Sequence, residues 1–174
     1  MNFIRLLLLI PVITVAFVAQ AADEVAPPNG IVKFHAVKEI IDLVPKQTIM
    51  QLKIPSQMEA AKTAANTALS ENALGNWVTW KVKVLNWEPW DSPGVVPNKF
   101  RISVPDQTMN VNGTVFGVRI LVYLGADAGP IVTKLKKGAE VTVTSYLNRV
   151  DFTTNKPEGL KFNLDMMRTQ IEAK

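Results

Sequence analysis

The chain has 174 residues, a formal net charge of +4, no cysteine and a single histidine. The lack of cysteine excludes a disulfide scaffold, a thiolate nucleophile and a Cys-ligated metal, and His35 alone supports neither a Ser-His-Asp triad nor a multi-His metal centre. The net charge is mild: it permits an anionic partner without demanding one.

In chain order, Arg5 is followed by an apolar run from Leu6 to Ala19 and by the small-residue site Ala19-Gln20-Ala21. A basic start, a greasy middle and small residues at the cut form a secretory signal. The run is shorter than the about 20 residues needed to span a bilayer and contains Pro11. Cleavage near Ala21 is expected, giving a periplasmic or secreted protein with no membrane span and a net charge of +3. Export removes the chain from cytosolic nucleotides and tRNA, so nucleic acid is not expected as a partner.

Residues 22–30 (ADEVAPPNG) read as a flexible lead-in, with two prolines and Asn29-Gly30. Val37, Ile40, Ile41 and Val44 have helical spacing within a segment from Ile31 that Pro45 stops. Thr48 to Ile54 reads as a short strand between Pro45 and Pro55. Ser56-Gln57-Met58-Glu59 has the form of a capping box, and the stripe Met58, Ala61, Ala65, Leu69 predicts a helix from Ser56 to Leu74, ended by Gly75. Residues 31–74 thus form a helical N-terminal extension.

From Trp77 the period changes from 3.6 to 2. Val78, Trp80, Val82 and Val84 share the inward face of a first strand, and Thr79, Lys81 and Lys83 point outward. A Pro/Gly-rich loop covers Glu88 to Pro97. A second strand runs from Lys99 to Val104, with Lys99, Arg101 and Ser103 outward. Asn112-Gly113 marks a hairpin turn. A third strand runs from Thr114 to Leu124 with Arg119 and Tyr123 outward, and Gly117 is the expected bend or bulge. A fourth covers Ala139 to Val150 and a fifth Leu160 to Met167. The fold predicted for residues 75–174 is mainly β, a five-stranded OB-fold-like Greek-key barrel preceded by an N-terminal helix. An immunoglobulin-like sandwich would want about seven strands.

Ala65-Asn66 and Ala73-Leu74-Gly75-Asn76-Trp77-Val78 lead into Lys81-Val82-Lys83-Val84. Leu135-Lys136-Lys137-Gly138-Ala139-Glu140-Val141-Thr142-Val143 and Leu160-Lys161-Phe162 follow. Over about residues 60 to 167 this resembles the tRNA_anti-like group of exported bacterial OB-fold proteins. The resemblance implies an OB-fold and export, and carries over no catalytic or binding residue. The chain departs from the group in its long Trp-rich first loop and in residues 31–54.

OB-folds bind ligands on the outer face of their second and third strands, flanked by loops. The candidate ligand-binding residues are therefore Lys81, Lys83, Lys99, Arg101 and Arg119 on the strands, Tyr123 at one end, and Trp87 and Trp90 at the first loop. Cations on a β face with aromatics at its rim hold phosphates and stack rings. The same face suits an acidic glycan, lipid headgroups or an acidic protein. Trp80 shares a face with three valines and reads as core, and Trp77 as a cap on the barrel end. Glu88 and Asp91 are two acids in one loop, and Asp106, Asp127, Asp151 and Asp165 are scattered without Ca²⁺-loop spacing. No catalytic residue, metal ligand or cofactor is expected. The sequence predicts a non-enzymatic binding module for an anionic ligand or protein partner. The alternative is a structural or assembly subunit of an envelope complex, contacting its neighbours through residues 31–54 and the Ala-rich helix.

Overall fold

A computed structural model describes residues 32–91, 98–155 and 159–173. The expected signal (1–21), the lead-in (22–30) and much of the first loop (92–97) lie outside the described residues. No described helix is long and apolar enough to cross a membrane.

Three helices precede the sheet, where one long helix dominated the expectation. Of the segment from Ile31 to Val44, only Val37–Ile41 (α1) is helical. Residues 32–36 run beside the sheet, because Phe34 is buried and bridges Val78 while the Lys33 N–H donates to the Trp77 carbonyl. The expected strand Thr48 to Ile54 is replaced by α2 (Lys46–Gln51). Ile49 and the C-cap Leu52 are buried, three apart, a spacing that suits one helix face and not one strand face. The Ala-rich helix is α3 (Met58–Asn72), with Ala61, Ala65 and Leu69 buried. Its capping box does not form. Gln57 is the N-cap without a side-chain bond, and the preceding turn offers carbonyls instead, Ile54 accepting from Gln57 and Met58. Glu59 pairs with Lys62 at 2.7 Å. Gly75, at φ +82, turns the chain into the first strand.

The described strands are β1 (Trp77–Lys83), β2 (Asn86–Pro89), β3 (Phe100–Ser103), β4 (Gln107–Val111), β5 (Thr114–Leu124), β6 (Glu140–Asn155) and β7 (Gly159–Ala173). A fourth helix, α4 (Gly129–Val132), lies between β5 and β6. The sheet order is β1-β6-β7-β5-β3-β2, with β4 also on β5. Only β5 and β7 pair in parallel. Five strands were expected and seven are described, because two of the expected runs are broken. The first run continues past Leu85 as β2, whose second half falls in the anticipated loop. The second resumes as β4, whose polar Gln107, Thr108 and Asn110 hid its alternation. With the halves rejoined, the wiring is the anticipated Greek key. As a hydrogen-bonded sheet it is not closed: β1 and β4 do not pair.

Asn112 (φ 54) and Gly113 (φ 77) form the expected two-residue turn, joining β4 to β5. Gly117 pairs in register with Thr108 and Lys161, without the bulge expected there. The irregularities lie in the β6–β7 ladder, near Ser145 and Asn148.

Helices and sheet share one core, which includes Ile40, Ile41, Ile49, Leu52 and Leu69 from the helices. Residues 32–54 are therefore packed on the sheet and do not form a free arm. Phe116, Phe152 and Phe162 meet at its centre with ring centroids 4.9–6.4 Å apart. Such contacts add about 0.5–1.5 kcal/mol per pair beyond burial. Asn66 fixes α3 to β6: its amide nitrogen donates to the Phe152 carbonyl at 3.1 Å, and its oxygen accepts the Phe152 N–H at 2.7 Å.

Candidate ligand-binding surface

Alternation along β3 and β5 turns Ile102 and Val122 into the core and Arg101 and Tyr123 to the other face, as opposed partners, where Tyr123 is nonetheless buried. β2 sets Glu88 opposite Arg101. The Glu88 carboxylate accepts from Arg101 Nε at 2.7 Å and also from the guanidinium's terminal nitrogen. Two residues on, the Trp90 N–H donates to the Lys99 carbonyl. This bond brings the indole beneath Arg101, with the guanidinium 4.0 Å from the ring centroid. The same indole meets Tyr123 edge-on at 5.8 Å. Arg101 is thus held on a carboxylate and on an aromatic face together.

The surface continues onto β7 and β6. Arg149 bonds Asp151 at 2.9 Å and lies 3.9 Å from Asp165, while Asn163 donates to Asp151. Burial raises the Asp165 carboxyl above the ordinary carboxylate range. Asp151 adds to this, and Arg149, Arg119 and Arg101 oppose it. Burial likewise raises the Tyr123 phenol; the Asp165 charge adds to this, against the pull of Arg101 and Arg119.

The expected basic face is therefore largely neutralised. Arg101 is matched by Glu88, Lys99 by Asp91 at 2.7 Å, and Arg149 by Asp151 and Asp165. Arg119 is exposed opposite Asn163, without a carboxylate within ion-pair distance among the described residues. The predicted set also divides. Trp90, Lys99, Arg101, Arg119 and Tyr123 share the β2–β3–β5 region. Trp87 does not face with them: it opposes inward-facing Ile102, and its ring meets Phe100 at 6.1 Å beside the core. Lys81 and Lys83 are exposed on β1, opposite Thr142 and Glu140 of β6, and the hydrogen-bonded path from there to β3 passes through β6, β7 and β5. They line a separate cleft of about 350 Å³ with His35, Thr79, Trp80 and Gln107.

Trp80 is core, as expected, and its Nε1 donates to the Phe34 carbonyl. Trp77 is buried against Tyr146. Asp165, Asp151 and Arg149 were not singled out for this surface, although alternation around Phe162 and Leu164 implies that Asp165 points outward. No group of three or more metal-ligating side chains occurs among the described residues.

No family model and no curated protein matches the chain. Solved structures similar to it include a small single-stranded DNA-binding protein from Streptomyces coelicolor (14% identity, TM-score 0.34, 57% of this chain and 94% of that one). A Plasmodium falciparum SSB complexed with single-stranded DNA is also similar (15%, 0.34, 59% and 96%). So is the mitochondrial single-stranded DNA-binding protein Rim1 of S. cerevisiae (12%, 0.32, 57% and 97%). Superpositions this loose do not transfer a ligand. The expectation that nucleic acid is not a partner gains no support from them.

Proposed function

We propose that the chain is an exported, non-enzymatic binding module of the tRNA_anti-like type, recognising a protein partner or an anionic ligand through Trp90 and Arg101, with buried Tyr123 supporting the indole. The observation that carries this is the pre-ordered stack of Arg101 on Trp90, with Tyr123 against its edge. Arg, Trp and Tyr supply most binding energy in protein interfaces when their rotamers are already held. Compensation of the neighbouring cations by Glu88, Asp91 and Asp165 favours a protein surface of mixed charge over a uniform polyanion. The assembly-subunit alternative loses one contact surface, since the buried stripe of α3 is used within the molecule.

The test is a tryptophan-fluorescence titration of the protein beginning at Ala22. The ligands are an oligonucleotide, an acidic polysaccharide and anionic vesicles, each at low and high salt. Affinity capture with wild type and Trp90→Ala runs in parallel. A protein retained by wild type and lost by Trp90→Ala supports the reading, as does saturable anion binding that the variant lacks. Equal behaviour of both proteins in every arm removes it. Fractionation and N-terminal sequencing after expression in bacteria test export: the mature chain should begin at Ala22.

A further inference from the structure

We propose that the open edge of β1 is a docking groove for an acidic segment of a partner protein, bound in extended form as an added strand. This site is separate from the Trp90 surface and does not depend on it.

Hydrogen-bond phase decides which main-chain groups of β1 are open. Alternate residues of a strand present their N–H and C=O to opposite neighbours. The Val84 N–H donates to the Ala139 carbonyl, and the Val84 carbonyl accepts from Gly138, so Val84 faces the β6 side. Val82 and Trp80 follow the same phase. Trp77 and Leu85 confirm the opposite one, the Trp77 carbonyl accepting from Lys33 and the Leu85 N–H donating to the Ser103 carbonyl. Lys81 and Lys83 therefore direct their main-chain groups away from β6. No described strand pairs with them there. The cleft of about 350 Å³ occupies this place, with Val104 and Gln107 beyond it.

The edge already accepts chain at one end, where Phe34 forms a parallel bridge to Val78. Between that bridge and the Leu85–Ser103 bond it is unoccupied by described chain. That stretch, about six residues at roughly 3.3 Å each, suits a short peptide. Its charge selects the occupant. Lys81 and Lys83 are exposed beside the edge, and no carboxylate lines the cleft. Asp106, beside Gln107, is bonded to Lys161. Main-chain bonds to Lys81 and Lys83 would supply the affinity of strand addition, and carboxylates against the two ammonium groups its selectivity.

The probe is a capped eight-residue peptide of alternating glutamate and valine, titrated calorimetrically into the protein beginning at Ala22. Its lysine–valine counterpart and two versions N-methylated at alternate residues in opposite phases are measured beside it. The expected result is saturable binding of the glutamate peptide and none of the lysine peptide. N-methylation in at least one phase should lower affinity tenfold or more, because it removes main-chain donors and leaves charge unchanged. Lys81→Gln with Lys83→Gln should lower affinity at least tenfold, with an unchanged circular dichroism spectrum. Amide exchange should slow at Lys81 and Lys83. Absence of binding overturns the proposal, as expected if the lysines merely guard an exposed edge. Equal binding of both N-methylated peptides also overturns it, and points to simple charge attraction open to any polyanion. Slowed exchange confined to Arg101 and Tyr123 would place the peptide on the other surface and overturn it as well.

Discussion

Around Arg101 the cations are bonded to carboxylates of the same or adjoining elements, whereas along β1 Lys81 and Lys83 flank a strand edge whose cleft no acid lines. The same residue types thus have opposite electrostatic meaning in two parts of one sheet. In the first region the charges hold side chains in place and leave a surface of aromatic and mixed polar character. In the second, positive charge accompanies unpaired backbone. Counting lysines and arginines on predicted outward positions does not separate these cases; whether the side chain is bonded to a carboxylate does.

The contrast breaks most readily at Arg101. Arg101→Glu sets two carboxylates opposite each other and strips the cation from the indole, and should cost about 2 kcal/mol. Lys81→Glu, on the open edge opposite Thr142, should cost no more than about 0.5 kcal/mol. Urea midpoints of the two variants measure the difference, and equal losses would contradict it.

Trp90→Ala should cost about 1–2 kcal/mol through the lost cation–π and edge contacts. It also exposes Tyr123, so that the phenol moves back down toward its ordinary range. Ultraviolet titration of the phenol should show this shift.

Glu88→Gln sharpens the comparison from the other side, by making the compensated surface resemble the uncompensated one. Freed of its counter-charge, Arg101 should raise low-salt affinity for a single-stranded oligonucleotide a few-fold and steepen the salt dependence by about 0.7. Fluorescence anisotropy reads both. No change would mean that Arg101 is not reachable by an anion.

The smallest effect concerns Asp165. Its folded-state pKa lies above that of the unfolded chain. Between those two values the folded protein holds the extra proton, so stability is greatest below that window and declines as pH rises through it. Asp165→Asn should remove this decline. Chemical denaturation across the carboxylate range and just above it tests the slope.

Much of the sheet was legible because half-buried strands alternate. Inward Val82, Ile102 and Val122, outward Arg101, Arg119 and Tyr123, and the Asn112-Gly113 turn all follow from period 2. What escaped were changes of phase. Even-numbered residues face inward through Val84, yet Trp87 faces inward after it, so the alternation slips by one around Leu85. A slip of one residue exchanges the faces, which is why Trp87 and Trp90, three apart, were wrongly grouped. β4 escaped because its outward side is polar and its inward side short. The ion pairs escaped because Glu88 meets Arg101 only through a register set by a loop that local periodicity does not encode.

The position of β7 has a consequence for time. It pairs with β6 on one side and β5 on the other, and no direct pairing joins β5 to β6. Apart from the β1–β2 run, which bonds the β6 side at Val84 and β3 at Leu85, no described strand joins the two halves of the sheet until residues 159–173 have been made and brought back to β5, with the entropy of a long closed loop to overcome first. Before then Phe116 and Phe152 lack Phe162, and the core is incomplete. Removal of β7 should therefore leave no partly folded remnant with a working surface. For a chain proposed to cross a membrane before folding, such a late-closing topology keeps the emerging polypeptide unfolded and translocatable until β7 has been made.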